Sequence, residues 1–255
     1  MNTTRALDPM LDFTDQVVLI TRAASGFGAM LAAQFSERGA KLVLGDIDEE
    51  GLAEVAAQLE GDSVTLRCDV TSEADLAALA EAADEMFGGL NIAINNAGFG
   101  HSLGAIEQLD EDTYDTMFAV HAKGVALGMK QQIPLIKRQG GVVINVSSMA
   151  GIGGAPMLGA YSAAKHAIIG LSKTAAIEYA ADNIRVNAVC PFFSLTPLVT
   201  ESGIFDKIEG MVRRSPMRRL AETEEVTSAI LLLCSPANSY MTGQAIAIDG
   251  GVSAY

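Results

Sequence analysis

The chain has 255 residues, an apolar share of 49% with only 5% aromatics, and a formal charge of −14. That length suits one large α/β domain, and a core drawn from Ala, Val, Ile and Leu suits a buried parallel sheet under Ala-rich helices. The acidic balance excludes a nucleic-acid partner, because phosphate binding needs a basic face, and it places the acids on solvated helix surfaces.

The N-terminus lacks a basic stretch followed by an apolar run, and no segment reaches the length of a membrane span. No secretory signal and no membrane contact are therefore expected, and the compartment is taken as cytoplasmic. Short apolar runs at residues 16–21, 41–46, 63–69, 91–95, 141–147, 184–190 and 244–249 alternate with helical-period stretches such as 28–37, 49–59 and 72–87. Thr71 and Ser72, with Asp75 following, read as a capping box opening the third of these stretches. The alternation predicts a doubly wound, Rossmann-type sheet of seven parallel strands with helices on both faces, as one domain over residues 1–255. Cys68, Cys190 and Cys234 are scattered and form no CxxC pair, so they read as small buried hydrophobes with neither disulfide nor metal role.

In such sheets ligands bind beyond the carboxyl ends of the strands, where the strand order reverses. The first run leads into Thr21-Arg22-Ala23-Ala24-Ser25-Gly26-Phe27-Gly28. Strand, glycine-bearing turn and helix form the setting a dinucleotide's pyrophosphate needs, although a plain tight turn looks much the same. Asp46 closes the second run 18 residues after Gly28, beside Ile47, where a carboxylate accepts from adenosine ribose hydroxyls and repels a 2′-phosphate. NAD is therefore favoured over NADP. Asp46 as a helix cap is the structural alternative, and Arg22 is a cation that would offset Asp46 and admit NADP.

Tyr161 and Lys165 stand four residues apart at the start of a helical stretch, hence on one helix face. Proton transfer by a phenol near neutral pH requires its pKa to fall, and a neighbouring ammonium favours the phenolate. Ser148 ends a strand 13 residues before Tyr161 and is placed to donate to a substrate oxygen.

Taken in order, Ser25-Gly26-Phe27-Gly28, Asp46, Asp69-Val70, Asn95-Asn96-Ala97-Gly98, Ser148, Tyr161 with Lys165, and Asp249-Gly250-Gly251 resemble the short-chain dehydrogenase/reductase family over residues 11–254. The resemblance implies hydride transfer between NAD and an alcohol or ketone. Tyr161 would be the general acid/base, Lys165 the group that lowers its pKa and holds the nicotinamide ribose, and Ser148 the substrate anchor. Asp69 and Val70 would border the adenine, and Asn96, Ala97 and Gly98 would line the groove. Thr196, in the segment with Pro191, Phe192 and Ser194, would meet the nicotinamide carboxamide. The family also implies a homodimer or homotetramer paired through residues 112–137 and 161–179.

Three positions depart from the pattern. Arg22 stands where the family has glycine, and a positive φ there would strain it by roughly 1–2 kcal/mol. His121 replaces a catalytic asparagine; it either continues a proton relay, titrating near neutral pH, or is a helix histidine satisfied by backbone. Phe192 replaces a glycine beside the nicotinamide, either narrowing the substrate pocket or packing on the coenzyme ring. His101 and His166 form no metal set with His121. Residues 192–217 are expected to form a substrate lid whose Phe193, Leu195, Leu198, Val199, Ile204, Phe205, Ile208, Met211 and Val212 suit an apolar, alicyclic or steroid-like substrate, as do Met149, Ile152, Met157 and Leu158. Arg213, Arg214, Arg218 and Arg219 leave open a 3-oxoacyl-thioester reductase using NADPH, and the three departures leave open a coenzyme-binding scaffold without turnover.

Overall fold

The inner strands of this chain are hidden on both faces, and that determines the architecture. In the computed structural model, which describes residues 8–196, 210, 212 and 215–254, the strands are β1 (Val17–Thr21), β2 (Lys41–Asp46), β3 (Ser63–Arg67), β4 (Ile92–Asn95), β5 (Gly141–Val146), β6 (Ile184–Pro191) and β7 (Ala245–Ile248). They make one parallel sheet in the order β3-β2-β1-β4-β5-β6-β7. The order reverses at β1, which pairs with β2 on one side and β4 on the other.

The helices are α1 (Gly26–Ser36), α2 (Glu49–Ala56), α3 (Glu73–Phe87), α4 (Glu111–Met117), α5 (Gly124–Ile136), α6 (Gly159–Tyr179) and α7 (Thr223–Cys234). Successive strand residues point to opposite faces, so β1 sends Val18 and Ile20 to one core and Val17 and Leu19 to the other. The first core holds Leu31 and Phe35 of α1 with Val226 and Ile230 of α7. The second holds Leu76 and Leu79 of α3, Ile133 and Ile136 of α5, and Ile168 and Ala175 of α6. Fully burying an aliphatic side chain contributes about 1.5–3 kcal/mol, so these two layers hold the sheet edge in place.

Local signals start the helices. Asp48 accepts from Gly51 N at the N-cap of α2, and Asp110 accepts from Thr113 N at 2.8 Å at that of α4. Ser72 caps α3, but only half of the expected box forms. Ser72 Oγ accepts from Asp75 N at 3.3 Å, whereas the Asp75 carboxylate reaches Asp69 N at 2.9 Å and Ser72 Oγ instead of Ser72 N, which donates to Asp69 O. Between α4 and α5 the chain continues as a π-helical segment, Phe118–Lys123, which periodicity did not foreshadow.

All three cysteines are free and buried, and burial pushes the thiols of Cys68 and Cys234 up to about 12. Among the described residues Asp46 and Lys165 are the buried acid and the buried cation, so the acidic surplus lies towards solvent. No described helix is long and apolar enough to cross a membrane.

Candidate active site

Seven parallel strands place all their carboxyl ends on one edge, and the crevice opens where the order reverses between β1 and β4. Thr21 and Asn96 close that seam. Thr21 Oγ1 accepts from Asn96 N at 3.0 Å and Ala97 N at 3.2 Å, while Asn96 Nδ2 donates to Thr21 O at 3.1 Å and Arg22 O at 3.2 Å. Both side chains are buried and engaged with backbone, so they build the groove wall.

The turn after β1 carries a left-handed residue: Arg22 has φ +54°. The sequence made that geometry a condition, and the structure meets it, with a cost of roughly 1–2 kcal/mol for a residue bearing a Cβ. The turn lies so close beneath α1 that a Cβ on Gly28 would collide with Arg22 O. Ser25, the N-cap of α1, makes no side-chain cap bond. Asp46 is buried, its Oδ2 accepting from Ala24 N at 2.9 Å and its Oδ1 from Asp48 N at 3.2 Å. It ties the turn after β2 to the turn after β1, and the cap of α2 is Asp48. Ile47 is exposed beside it, and Asp69 Oδ1 holds Thr71 N and Oγ1 after β3. Val70 packs against Gly124.

At the far end of the crevice, Ser147 Oγ donates to Lys165 O at 2.8 Å and Ser162 Oγ to Ala150 O at 2.8 Å. These bonds pin the loop after β5 onto the first turns of α6 and bring Ser148 into hydrogen bonding with the Tyr161 hydroxyl. Lys165 Nζ lies 5.5 Å from the Tyr161 ring centroid and donates to Val146 O at 2.8 Å. The His121 ring meets Tyr161 edge-on at 5.4 Å. Ser148, Tyr161, Lys165 and His121 therefore come together.

Electrostatics at the site differ from the expectation. Burial pushes the Tyr161 phenol above its ordinary value, against smaller downward pulls from Ser148 and Arg22, so the phenol is held protonated. Burial lowers Lys165 to about 7, with Cys190 pulling it up and Arg22 down. Burial together with Lys165 drives His121 down to about 2, so this ring does not titrate near neutral pH. The 2.9 Å contact of His121 Nε2 with Phe99 O assigns the ring proton to Nε2. Nδ1 is then a bare acceptor, buried and without a partner among the described residues. Backbone satisfies one ring nitrogen and leaves the other. A Cβ placed on Gly98 would lie 2.5 Å from His121 Cε1, 2.9 Å from Nδ1 and 3.6 Å from Lys165 Nζ, so Gly98 leaves room for the ring beside the ammonium.

Sequence reasoning missed the support beneath these groups. Asn95 and Asn145 are register partners in β4 and β5, and Asn95 Nδ2 donates to Asn145 Oδ1 at 2.8 Å. Asn95 exchanges bonds with Gln132 of α5, and Asn145 Nδ2 donates to Ser172 Oγ of α6 at 2.9 Å. An amide within each of two apolar strands was the available signal; nothing marked Gln132 or Ser172. His101 was also passed over: it accepts from Tyr161 N at 3.4 Å through Nε2.

Pro191 ends β6, and Phe192 stacks edge-on against Phe193 at 4.9 Å, lining a cavity with Met217, Leu220 and Ile248. Ser194 Oγ donates to Phe192 O and Thr196 N to Ser194 O, while Leu195 N donates to Ala221 O. Leu198, Val199, Ile204, Phe205, Ile208, Met211, Arg213 and Arg214 of the expected lid lie outside the described residues. Arg219 is engaged by Glu225 through two contacts of 2.6 and 2.7 Å.

Comparison with known proteins agrees with this fold. A family profile described as enoyl-(acyl carrier protein) reductase matches residues 23–253. The chain is 39% identical to a cis-4-hydroxycyclohexanecarboxylate dehydrogenase from Sinomonas cyclohexanicum, covering 95% of this chain and 98% of that protein. The crystal structure of levodione reductase superposes with a TM-score of 0.92 at 34% identity, covering 95% of this chain and 99% of that one. A 3-ketoacyl-(acyl-carrier-protein) reductase from Brucella melitensis, solved with NADH, gives a TM-score of 0.88 at 35% identity, covering 94% and 99%. The chain is a member of the short-chain dehydrogenase/reductase family and an oxidoreductase of that NAD(P)-using kind.

Proposed function

We propose that the protein is an NAD-dependent dehydrogenase interconverting an apolar, alicyclic secondary alcohol and its ketone. The convergence of Tyr161, Ser148, Lys165 and His121 at the end of a groove that begins at Asp46 carries this reading. The residues fit a dinucleotide. Lys165 is buried yet spends one N–H on Val146 O among the described residues, leaving donors for a ribose diol, and Asp46 stands where the other ribose would lie.

When bound, the nicotinamide supplies the hydride acceptor for oxidation or donor for reduction. Ser148 holds the substrate oxygen by hydrogen bond. Tyr161 gives its phenolic proton to that oxygen as the ketone is reduced, or takes the hydroxyl proton as the alcohol is oxidised. His121, neutral and accepting through Nδ1 beside the Lys165 ammonium, holds a proton donor in line with Lys165, so that Tyr161 can be reprotonated from solvent. Desolvation keeps the phenol protonated before binding, which suits the reductive direction.

Exposed apolar side chains near the site support the substrate class. Phe99 packs on His121, Ile152 follows the Ser148 turn, and Met157 precedes α6. The likeness to alicyclic-substrate enzymes points the same way. Engagement of Arg219 with Glu225 weighs against an acyl-carrier partner. A second copy is expected to pair as homodimer or homotetramer on the groove of α5 and α6 around Ile133, Pro134, Leu171 and Tyr179.

The test is fluorescence titration with NADH and NADPH, followed by turnover of alicyclic ketones, their alcohols and 3-oxoacyl thioesters. Alicyclic turnover with NADH is expected, and Tyr161→Phe should lose about 10²–10⁴-fold in kcat while keeping coenzyme affinity. Binding without turnover across the panel would refute the enzyme reading.

A further inference from the structure

Arg22 is strained and half-buried, and its guanidinium donors are unused among the described residues. Its φ of +54° is the conformation glycine adopts freely. Its carbonyl is used, accepting from Asn96 Nδ2 and capping the space above Gly28. Its guanidinium is not: among the described residues it forms no hydrogen bond and no ion pair. It stands on the turn that Asp46 and Asn96 hold in place, and its charge is felt at Asp46, Tyr161, Lys165 and His121. Lys165 is a second cation in the same crevice, and the two repel.

A half-desolvated guanidinium with unused donors is costly even with a carboxylate in electrostatic reach, and an anion that accepts from it while offsetting its repulsion of Lys165 removes that cost. A guanidinium presents five donors in a planar fork that matches two phosphate oxygens at once. Asp46 limits where such an anion can sit. Its buried carboxylate would repel a phosphate at the ribose end, leaving the stretch between Asp46 and Tyr161.

We infer that Arg22 is a coenzyme-anchoring residue of this chain: its guanidinium, on the turn between β1 and α1, clamps the pyrophosphate bridge of the dinucleotide. This rests on the coenzyme reading above. The clamp serves NADH and NADPH equally, so Arg22 adds affinity while Asp46 supplies the preference.

The experiment measures dissociation constants of NADH and NADPH for wild type, Arg22→Lys and Arg22→Gly at low and high salt. Glycine accepts the φ of position 22 without strain, so the turn survives the substitution, and circular dichroism verifies the fold. Arg22→Gly should weaken both coenzymes by a common factor of about 10–100, the equivalent of hydrogen bonds to a charged group, and should flatten the salt dependence. Arg22→Lys should recover part of the loss. Selective loss of NADPH would make Arg22 a reader of the 2′-phosphate and overturn the inference. Unchanged or tighter binding of both coenzymes in Arg22→Gly would overturn it too, marking the side chain as an occupant that must move aside. If wild type binds neither coenzyme, the coenzyme reading itself fails, and this inference with it.

Discussion

Position 22 offers a reversal of the usual rank of alanine and glycine. In most element interiors glycine costs about 0.5–1 kcal/mol relative to alanine, because the unfolded chain loses more freedom. At φ +54° the strain of any residue with a Cβ is roughly 1–2 kcal/mol, and glycine relieves it. The difference leaves Arg22→Gly more stable than wild type by up to about 1.5 kcal/mol, apart from the loss of the cation, which removes both its repulsion of Lys165 and its attraction to Asp46. Arg22→Ala removes the same cation and keeps the strain, so it should fall about 1 kcal/mol below Arg22→Gly. Urea unfolding followed by circular dichroism, with equal m-values, measures the gap. In a chain of this size it corresponds to about 2–4 °C in Tm per kcal/mol. Should Arg22→Ala prove equal to or more stable than Arg22→Gly, position 22 is not held left-handed in solution and the strain argument fails.

Lys165 titrates near 7 in the native protein and near the ordinary lysine value when unfolded. Between those limits the unfolded chain binds the extra proton, so stability rises with pH, at up to about 1.4 kcal/mol per pH unit. Lys165→Met should abolish that contribution, and urea midpoints at pH 7, 8 and 9, compared with wild type, read it directly. An identical slope in the variant would show an ordinary lysine. His121→Asn should leave the number of ionisations in the pH–rate profile between pH 5 and 8 unchanged, because the ring stays neutral down to about 2; loss of one ionisation would contradict its burial. Gly98→Ala pushes a methyl against the His121 ring, and a stability loss of about 1–3 kcal/mol should accompany a fall in kcat larger than the change in coenzyme affinity. Asn145→Ala leaves one N–H of the Asn95 amide without its acceptor while Gln132 and Ile168 O keep the other bonds of Asn95 and Ser172, and the thermal midpoint should drop by the equivalent of about 1–3 kcal/mol. A neutral result would mean that water replaces the lost amide.

The sheet was legible because each apolar run is punctuated by a polar or glycine-bearing strand end, and parallel strands leave little choice of connection. The juxtaposition of Tyr161, Lys165 and Ser148 was legible through their spacing together with the family resemblance. The electrostatic state of the site was not, because it depends on depth: the same tyrosine near an ammonium has a raised pKa once both are buried. His121 read as a residue that titrates near neutral pH for the same reason, since nothing in its neighbours in sequence announces that Phe99 and Lys165 enclose it. The amide network joining Asn95, Asn145, Gln132 and Ser172 draws on four elements, and only its strand members stood out against an apolar background.

The π-helical segment Phe118–Lys123 sets the phase of everything after it. A residue inserted into an α-helix turns the following face by about 100°, and α5 begins at the end of this segment with its buried stripe already aimed at the sheet. Shortening the segment by one residue would therefore force a choice. Either the His121 ring swings away from Tyr161, or Met129, Ile133 and Ile136 rotate out of the interior. Catalytic geometry and core packing thus share one count of residues, and length variation here is closed to this chain even where substitution is open.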